Sequence, residues 1–304
     1  MVRYNSRMAQ SSLVVVIPTY APGASIWPTL TSLNASVRKW TDQPYLLVLS
    51  DSSPDDSICD QARKWAAQVS CSLVIDYSAT RRFIKEALNA ALSKKEVAEA
   101  DYVIFTNDDV EFEINCVSNI IRSLSEDVTA KIAVGSLMPD PNYTGGRRRA
   151  GAWQMDVVGR IARSLPSRAI RAEGAIWATR GTFAGEFRYP IGSGNIADDV
   201  ELQNYAIQND IVTLNVPEAI VYKIPPLGFS EFALQTQRFH TASRTAIGTP
   251  PSLEVRFRAL LISLLKSPIG ALHYFAYRVA LFFGAGKQST SSQENWNRAS
   301  STWR

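Results

Sequence analysis

Three clusters of side chains have types and spacings suited to chemistry. Asn107-Asp108-Asp109 closes the segment YVIFTNDD, Asp198-Asp199 opens ADDVELQNYAIQND, and Gln235 and Arg238 lie three residues apart in LQTQRFH. Two adjacent carboxylates beside an amide repel one another unless a cation compensates, and hard divalent cations prefer oxygen ligands. Asn107-Asp108-Asp109 is therefore a candidate Mg2+ or Mn2+ site that would also grip a diphosphate, or else an acidic turn capping the next helix. A carboxylate of Asp198-Asp199, set near a crevice, could take the proton from an attacking hydroxyl. The same pair would equally serve as a helix cap with a favourable charge at the helix start. Gln235 and Arg238 would share one helix face.

These clusters need elements to position them. Short runs at residues 13–17, 46–49, 73–75 and 102–105 are apolar on both faces and read as buried parallel strands. Helical stretches at 26–40, 56–69 and 82–92 alternate with them, giving βαβ units and an open, mostly parallel sheet flanked by helices. Ligands of such sheets sit at the carboxyl ends of the strands. The residues found there are Pro18-Thr19-Tyr20, Ser50-Asp51-Ser52-Ser53 and Thr106-Asn107-Asp108-Asp109. Residues 139–149 carry Pro, Gly and the adjacent Arg147, Arg148 and Arg149, and read as a mobile loop. Its arginines are either a solvated run or a clamp for phosphates. Helix is expected at 197–209 and 230–244, and short strands at 212–216 and 219–222.

Composition narrows the class. With 304 residues, 46% hydrophobic and 20% charged, the chain is an ordinary folded protein able to bury a large core. A net charge of +4 suits anionic partners without choosing among them, and no nucleic-acid recognition motif supports that partner. Cys59, Cys71 and Cys116 form no C-x-x-C pair, and His240 and His273 are the only histidines. A disulfide framework, a structural zinc and a multi-histidine metal site are thereby set aside, and a reducing cytoplasm is the expected compartment. The polar stretch 1–12 lacks the apolar core of a secretory signal.

VVVIPTY at 14–20, VLSDSSPDDS at 48–57, YVIFTNDDVEF at 102–112, GAIWATRGTF at 174–183, ADDVELQNYAIQND at 197–210 and LQTQRFH at 234–240 follow one another in the chain. In this order they resemble the family 2 glycosyltransferases over about residues 12–245. The resemblance implies a GT-A fold, with a Rossmann-like, mostly parallel central sheet flanked by helices. It also implies an inverting transfer of sugar from a UDP- or dTDP-linked donor to a hydroxyl of a glycan or lipid-linked acceptor, as in polysaccharide biosynthesis.

Roles follow from the same resemblance. Pro18, Thr19 and Tyr20 would border the nucleotide base, and Asp51 would bond it, with Ser50 standing where the family often has another Asp. Arg82, Lys85 and Asn89 would contact ribose or diphosphate. Asn107-Asp108-Asp109 takes the D-x-D position, Asn107 replacing the first acid and serving ribose or sugar hydroxyls. Asp109 would be the direct ligand of Mn2+ or Mg2+, with Asp108 secondary. Asp199, the second acid of its pair, would be the catalytic base. Arg238 would hold diphosphate within an element like Q-x-x-R-W, Phe239 replacing the Trp. Trp177 would line the acceptor side or lie in the core, and Lys223 stands where some GT-A enzymes supply a metal-binding histidine. Asn107 and Ser50 keep open another reading, a catalytically silent nucleotide-sugar or glycan-binding protein on the same fold.

The expected organisation is a GT-A domain over 1–250, an apolar and basic helical extension over 251–286, and a polar, disordered tail over 287–304. Residues 253–283 are interrupted by Arg256, Arg258, Lys266, Pro268 and Arg278, so no stretch reaches the about 18–20 uncharged residues of a spanning helix. Two short helices of this kind would lie in a membrane interface, peripheral on the inner face, or pack on the domain or on a second subunit.

Overall fold

The structure, a computed structural model, describes residues 12–23, 26–69, 71–171, 173–191, 197–247 and 250–283, excepting the side chains of 238–245. The start of the chain, the Arg238 and Phe239 side chains and the expected tail 287–304 thus lie outside the described residues.

Four strands, β1 (Leu13–Thr19), β2 (Leu46–Asp51), β3 (Ser72–Tyr77) and β4 (Tyr102–Thr106), pair in parallel in the order β3-β2-β1-β4. Their connections are helices α1 (Ile26–Trp40), α2 (Ser57–Gln68), α3 (Ile84–Leu92) and the short α4 (Lys95–Glu99). Alternation along β1 sends Leu13, Val15 and Ile17 to one face and Val14 and Val16 to the other, each into its own apolar layer. Each fully buried Val, Ile or Leu contributes about 1.5–3 kcal/mol, so a slip of one residue in register would be costly on both faces. Pro18 is tolerated because β4 pairs with β1 only as far as Val16, and no ladder bond on that side asks for its missing N–H. β3 differs from the expectation of a buried strand: it is the sheet edge, half-exposed along its length.

Beyond β4 the direction reverses. β7 (Ile176–Thr179) runs antiparallel to both β4 and β6 (Ile132–Pro139). β6 pairs in parallel with β8 (Thr213–Lys223), and the two-residue β5 (Glu111–Phe112) closes the far edge antiparallel to β8. The strands expected at 212–216 and 219–222 are one strand. Its partners on β6 jump from Asn215 to Ile220, and Pro217 stands in that irregularity, where the ladder is already interrupted.

The 139–149 segment is ordered rather than a loose loop. Two short 3-10 turns, Pro141–Tyr143 and Gly146–Arg148, lead into α6 (Arg149–Arg163). Arg148 is buried and donates to the Pro225 carbonyl, so the arginine run is not a uniformly solvated one. α6 lies close to β6 because residue 159 is glycine; a Cβ there would sit 2.4 Å from the Met138 Sδ. The remaining helices are α5 (Cys116–Glu126), α7 (Gly181–Glu186), α8 (Asp198–Gln208), α9 (Gly228–Thr245), α10 (Leu253–Lys266) and α11 (Pro268–Phe282). α10 and α11 clasp α6: Tyr274 stacks at 4.6 Å on Trp153, and the Asp156 carboxylate accepts from Arg160, from the Ser263 hydroxyl at 2.6 Å and from Lys266.

Candidate active site

The carboxyl ends of β1, β2 and β4 meet in one network. The Thr19 hydroxyl donates to Asp108 Oδ2 at 2.5 Å, tying the end of β1 to the acidic turn. The Asp51 carboxylate is buried; Oδ1 accepts from the Ser53 amide (2.9 Å) and hydroxyl (2.5 Å), and Oδ2 from the Cys59 thiol (3.3 Å). Burial and the adjacent Asp51 push the Cys59 thiol up to about 12. The Ser53 hydroxyl also accepts the Ala21 amide, and the Arg81 guanidinium lies 4.4 Å over the Tyr20 ring. Pro18, Thr19, Tyr20 and Asp51 thus lie together at the ends of β1 and β2, and the buried Asp51 Oδ2 keeps capacity for one further donor.

Asn107-Asp108-Asp109 caps no helix. The next helix, α5, begins at Cys116 with Asn115 as its N-cap, and β5 intervenes. That strand explains the partner of the acidic turn. Glu111 pairs antiparallel with Tyr222, which brings Lys223 back over Asp109, and Nζ lies 2.8 Å from Asp109 Oδ2. The other oxygen, Oδ1, is buried and accepts no hydrogen bond. Among the described residues no group of three or more His, Cys, Asp or Glu could hold a metal by itself. A caged ion therefore does not fit, whereas one buried, unpartnered carboxylate oxygen fits a Mn2+ or Mg2+ carried mainly by a diphosphate.

At the start of α8 the N-cap is Ala197, without a side-chain cap bond, so Asp198 and Asp199 are first-turn residues rather than caps. Asp199 Oδ1 accepts the Val200 amide at 2.8 Å. Burial, then the neighbouring Asp199, push Asp198 up to about 7; burial raises Asp199 as well. The start of α8 lies against the segment leading into β7, since a Cβ on Gly174 would be 3.6 Å from both Asp198 Oδ2 and the Asp199 Cβ. Burial also raises Glu173; Arg171 opposes that rise, Asp199 adds to it, and Lys223 lowers it. Glu173 thus feels both the Asp199 carboxylate and the ammonium that holds Asp109. The Tyr189 hydroxyl, buried and without a hydrogen bond, faces the same acids.

Other expected contact residues are held by protein partners. Arg82 donates to Asp76 Oδ2 at 2.6 Å and to the Asp76 and Asp51 carbonyls. Lys85 pairs with Glu201 at 2.9 Å, and Asn89 exchanges two hydrogen bonds with the Tyr189 backbone. Trp177 is buried and stacked at 4.0 Å on Phe105, in the core rather than on an acceptor face. Sequence reasoning missed Asp76, Glu173 and Glu201. Asp76 had a signal, since it ends β3 as Asp51 ends β2; Arg82 and Lys94 hold it below the ordinary carboxylate range despite its burial. Glu173 had none beyond its place before GAIWATR.

A mostly parallel sheet with a reversed β7, and acids gathered at its strand ends, has the GT-A architecture. The chain belongs to the family described as Glycosyl transferase family 2, which matches residues 14–181, more than half of its 304 residues. No curated protein matches it. Among solved structures it is similar to the mannosyltransferase PcManGT from Pyrobaculum calidifontis, described in complex with GDP-Man and Mn2+. That similarity has 20% identity and a TM-score of 0.56, over 93% of this chain and 78% of the other. It is also similar to S. aureus TarS in complex with UDP-GlcNAc, at 15% identity and a TM-score of 0.49, over 84% of this chain and 72% of the other.

Proposed function

We propose that this glycosyltransferase is inverting. It moves a sugar from a nucleotide-diphosphate donor, UDP- or dTDP-linked, to a hydroxyl of a glycan or lipid-linked acceptor. The observation that carries this reading is the pairing of Asp109 Oδ2 with Lys223 at 2.8 Å, which leaves Asp109 Oδ1 unpartnered. It supports a site for anionic diphosphate, and the buried Asp199 at the start of α8 supports a proton acceptor of raised affinity. The GDP-Man and Mn2+ described for PcManGT support the same donor class.

In this reading the rim of Pro18, Thr19, Tyr20 and Asp51 receives the base, the free capacity of Asp51 Oδ2 taking one N–H. Asn107 offers an amide to ribose or sugar hydroxyls. Asp109, steadied by Lys223, presents Oδ1, and Asp108 fixes the turn through Thr19. Mn2+ or Mg2+ bound at Oδ1 would offset the charge of the departing diphosphate. Lys223 supplies a cation from the chain itself at the same place. Arg82 and Lys85 shape the rim through Asp76 and Glu201, and Arg238 on α9 is a further diphosphate contact. Asp199 takes the proton of the acceptor hydroxyl as its oxygen attacks the anomeric carbon from the side opposite the leaving group, which inverts the configuration.

The test is transfer and donor hydrolysis by wild type and Asp199→Ala. Loss of about 10²–10⁴-fold in turnover, with donor-induced stabilisation intact, is the expected result. Equal turnover would sink the base assignment. Donor binding without turnover in either protein would establish the silent binding protein instead.

A further inference from the structure

The last two helices carry apolar surface that no described residue covers. On α10, Leu253, Phe257, Leu261, Leu264 and Leu265 are exposed, Phe257 by 68% and Leu265 by 74%. Their spacing of four, eight, eleven and twelve residues from Leu253 puts them on one helix face. On α11, Ile269, Leu272, Val279 and Phe282 repeat the pattern at three, ten and thirteen residues, with Leu272 69% and Phe282 85% exposed, while Phe275 reaches back to the Trp153 ring. The opposite faces are the ones that attach: Ala259, Ser263, Gly270 and Ala271 are buried, with Ser263 bonded to Asp156 and Gly270 against Arg149 and Trp153. Single exposed apolar side chains are ordinary, but two continuous stripes turned away from the body are not.

The charges around the stripes select the occupant. Apart from Lys266, which pairs with Asp156, residues 253–283 hold Arg256, Arg258 and Arg278 against Glu254 alone, three cations minus one acid, a net +2. Pairing this face with a second copy would bring like charges together, whereas anionic lipid headgroups would neutralise them. At about 1.5 Å per residue, helices of 14 and 15 residues reach roughly 21 and 22 Å, short of the about 30 Å hydrocarbon core. No single described helix is long and apolar enough to cross a membrane, and the two are bent 117° at their junction. Such a pair suits the interfacial plane.

We propose that α10 and α11 dock this protein on an anionic bilayer surface, the stripes sunk to the acyl boundary and the arginines at headgroup level. α6, which carries the pair, also touches the segment leaving Lys223, since a Cβ on Gly151 would overlap Pro226. The site rim is thereby joined to the docked face; that the acceptor is lipid-linked rests on the transferase reading, while docking stands apart from it.

The experiment is co-sedimentation of the full chain with vesicles of phosphatidylcholine, alone or mixed with phosphatidylglycerol, at low and high salt. Thermal stability, oligomeric state and donor hydrolysis are measured alongside. Binding to the phosphatidylglycerol vesicles, weakened by salt and reduced roughly tenfold or more by Phe257→Asp with Leu264→Asp, supports docking when hydrolysis and melting are unchanged. If that pair lowers the melting temperature, the exposed Arg258→Gln takes its place and should weaken binding to anionic vesicles alone. Equal pelleting of variant and wild type overturns the proposal, as does wild type that pellets with neither vesicle. A dimer that the variant dissolves and that ignores vesicles assigns the face to a second copy and overturns it too. Hydrolysis lost in wild type while docking persists would instead strike at the transferase reading.

Discussion

Asp198 and Asp199 sit side by side on the first turn of α8, where burial and mutual repulsion raise Asp198 to about 7 and burial raises Asp199. A base must lose its proton to work, so kcat/KM should rise with pH through a limb near 7 that belongs to the pair. Asp198→Asn removes the neighbouring charge and should move that limb to lower pH; a limb that stays in place refutes the coupling. Stability should run the other way. The unfolded chain releases these protons near pH 4, while the folded chain holds more of them up to about 7. The contribution of this pair to stability is therefore fullest below about 4 and falls as pH rises through about 7, and Asp198→Asn should flatten that part of the slope in urea titrations. At the acidic turn, Lys223→Met leaves the Asp109 carboxylate without its cation. The expected cost is about 1–3 kcal/mol, with most of it recovered when Asp109→Asn is added.

Among the elements, α6 connects the site to the rest of the molecule. Gly151→Ala places a Cβ 2.4 Å from the Pro226 Cγ, three residues beyond Lys223. It should cost about 1–3 kcal/mol and lower turnover, whereas Gly145→Ala, which meets open space, should change stability by less than about 0.5 kcal/mol. α6 is also the element that sequence reading missed. Its buried residues include the polar Gln154 and Asp156 beside Trp153, Met155 and Val157, so burial there does not follow polarity, and it follows Pro141, Gly145 and Gly146. The β-α-β half was legible because its strands are continuous Val, Ile and Leu runs with long helices between them. β7 is only four residues long, and β6 is broken by Gly135 at the β8 irregularity, so neither stood out. The strand-end acids were readable as a group. The Asp109–Lys223 pair was not, because it depends on the antiparallel β5–β8 contact between segments more than a hundred residues apart.

At the scale of the molecule, two apolar layers enclose the sheet, and the proposed donor site lies at strand ends that only the folded chain brings together. A donor that binds only this state should raise the melting temperature. At about a hundred times Kd, linkage gives about 2.7 kcal/mol, on the order of 5 °C for a chain of this size. The rise should be larger with Mn2+ than with a chelator, and Asp109→Asn should erase the difference. The clasp of α10 and α11 on α6 has a practical corollary. A chain cut after Pro250 would not be a trimmed, better-behaved enzyme. The cut strips Ser263 and Lys266 from the buried Asp156 carboxylate and uncovers Trp153 and Val157. The shortened protein should aggregate, and its insolubility would say nothing about lipid.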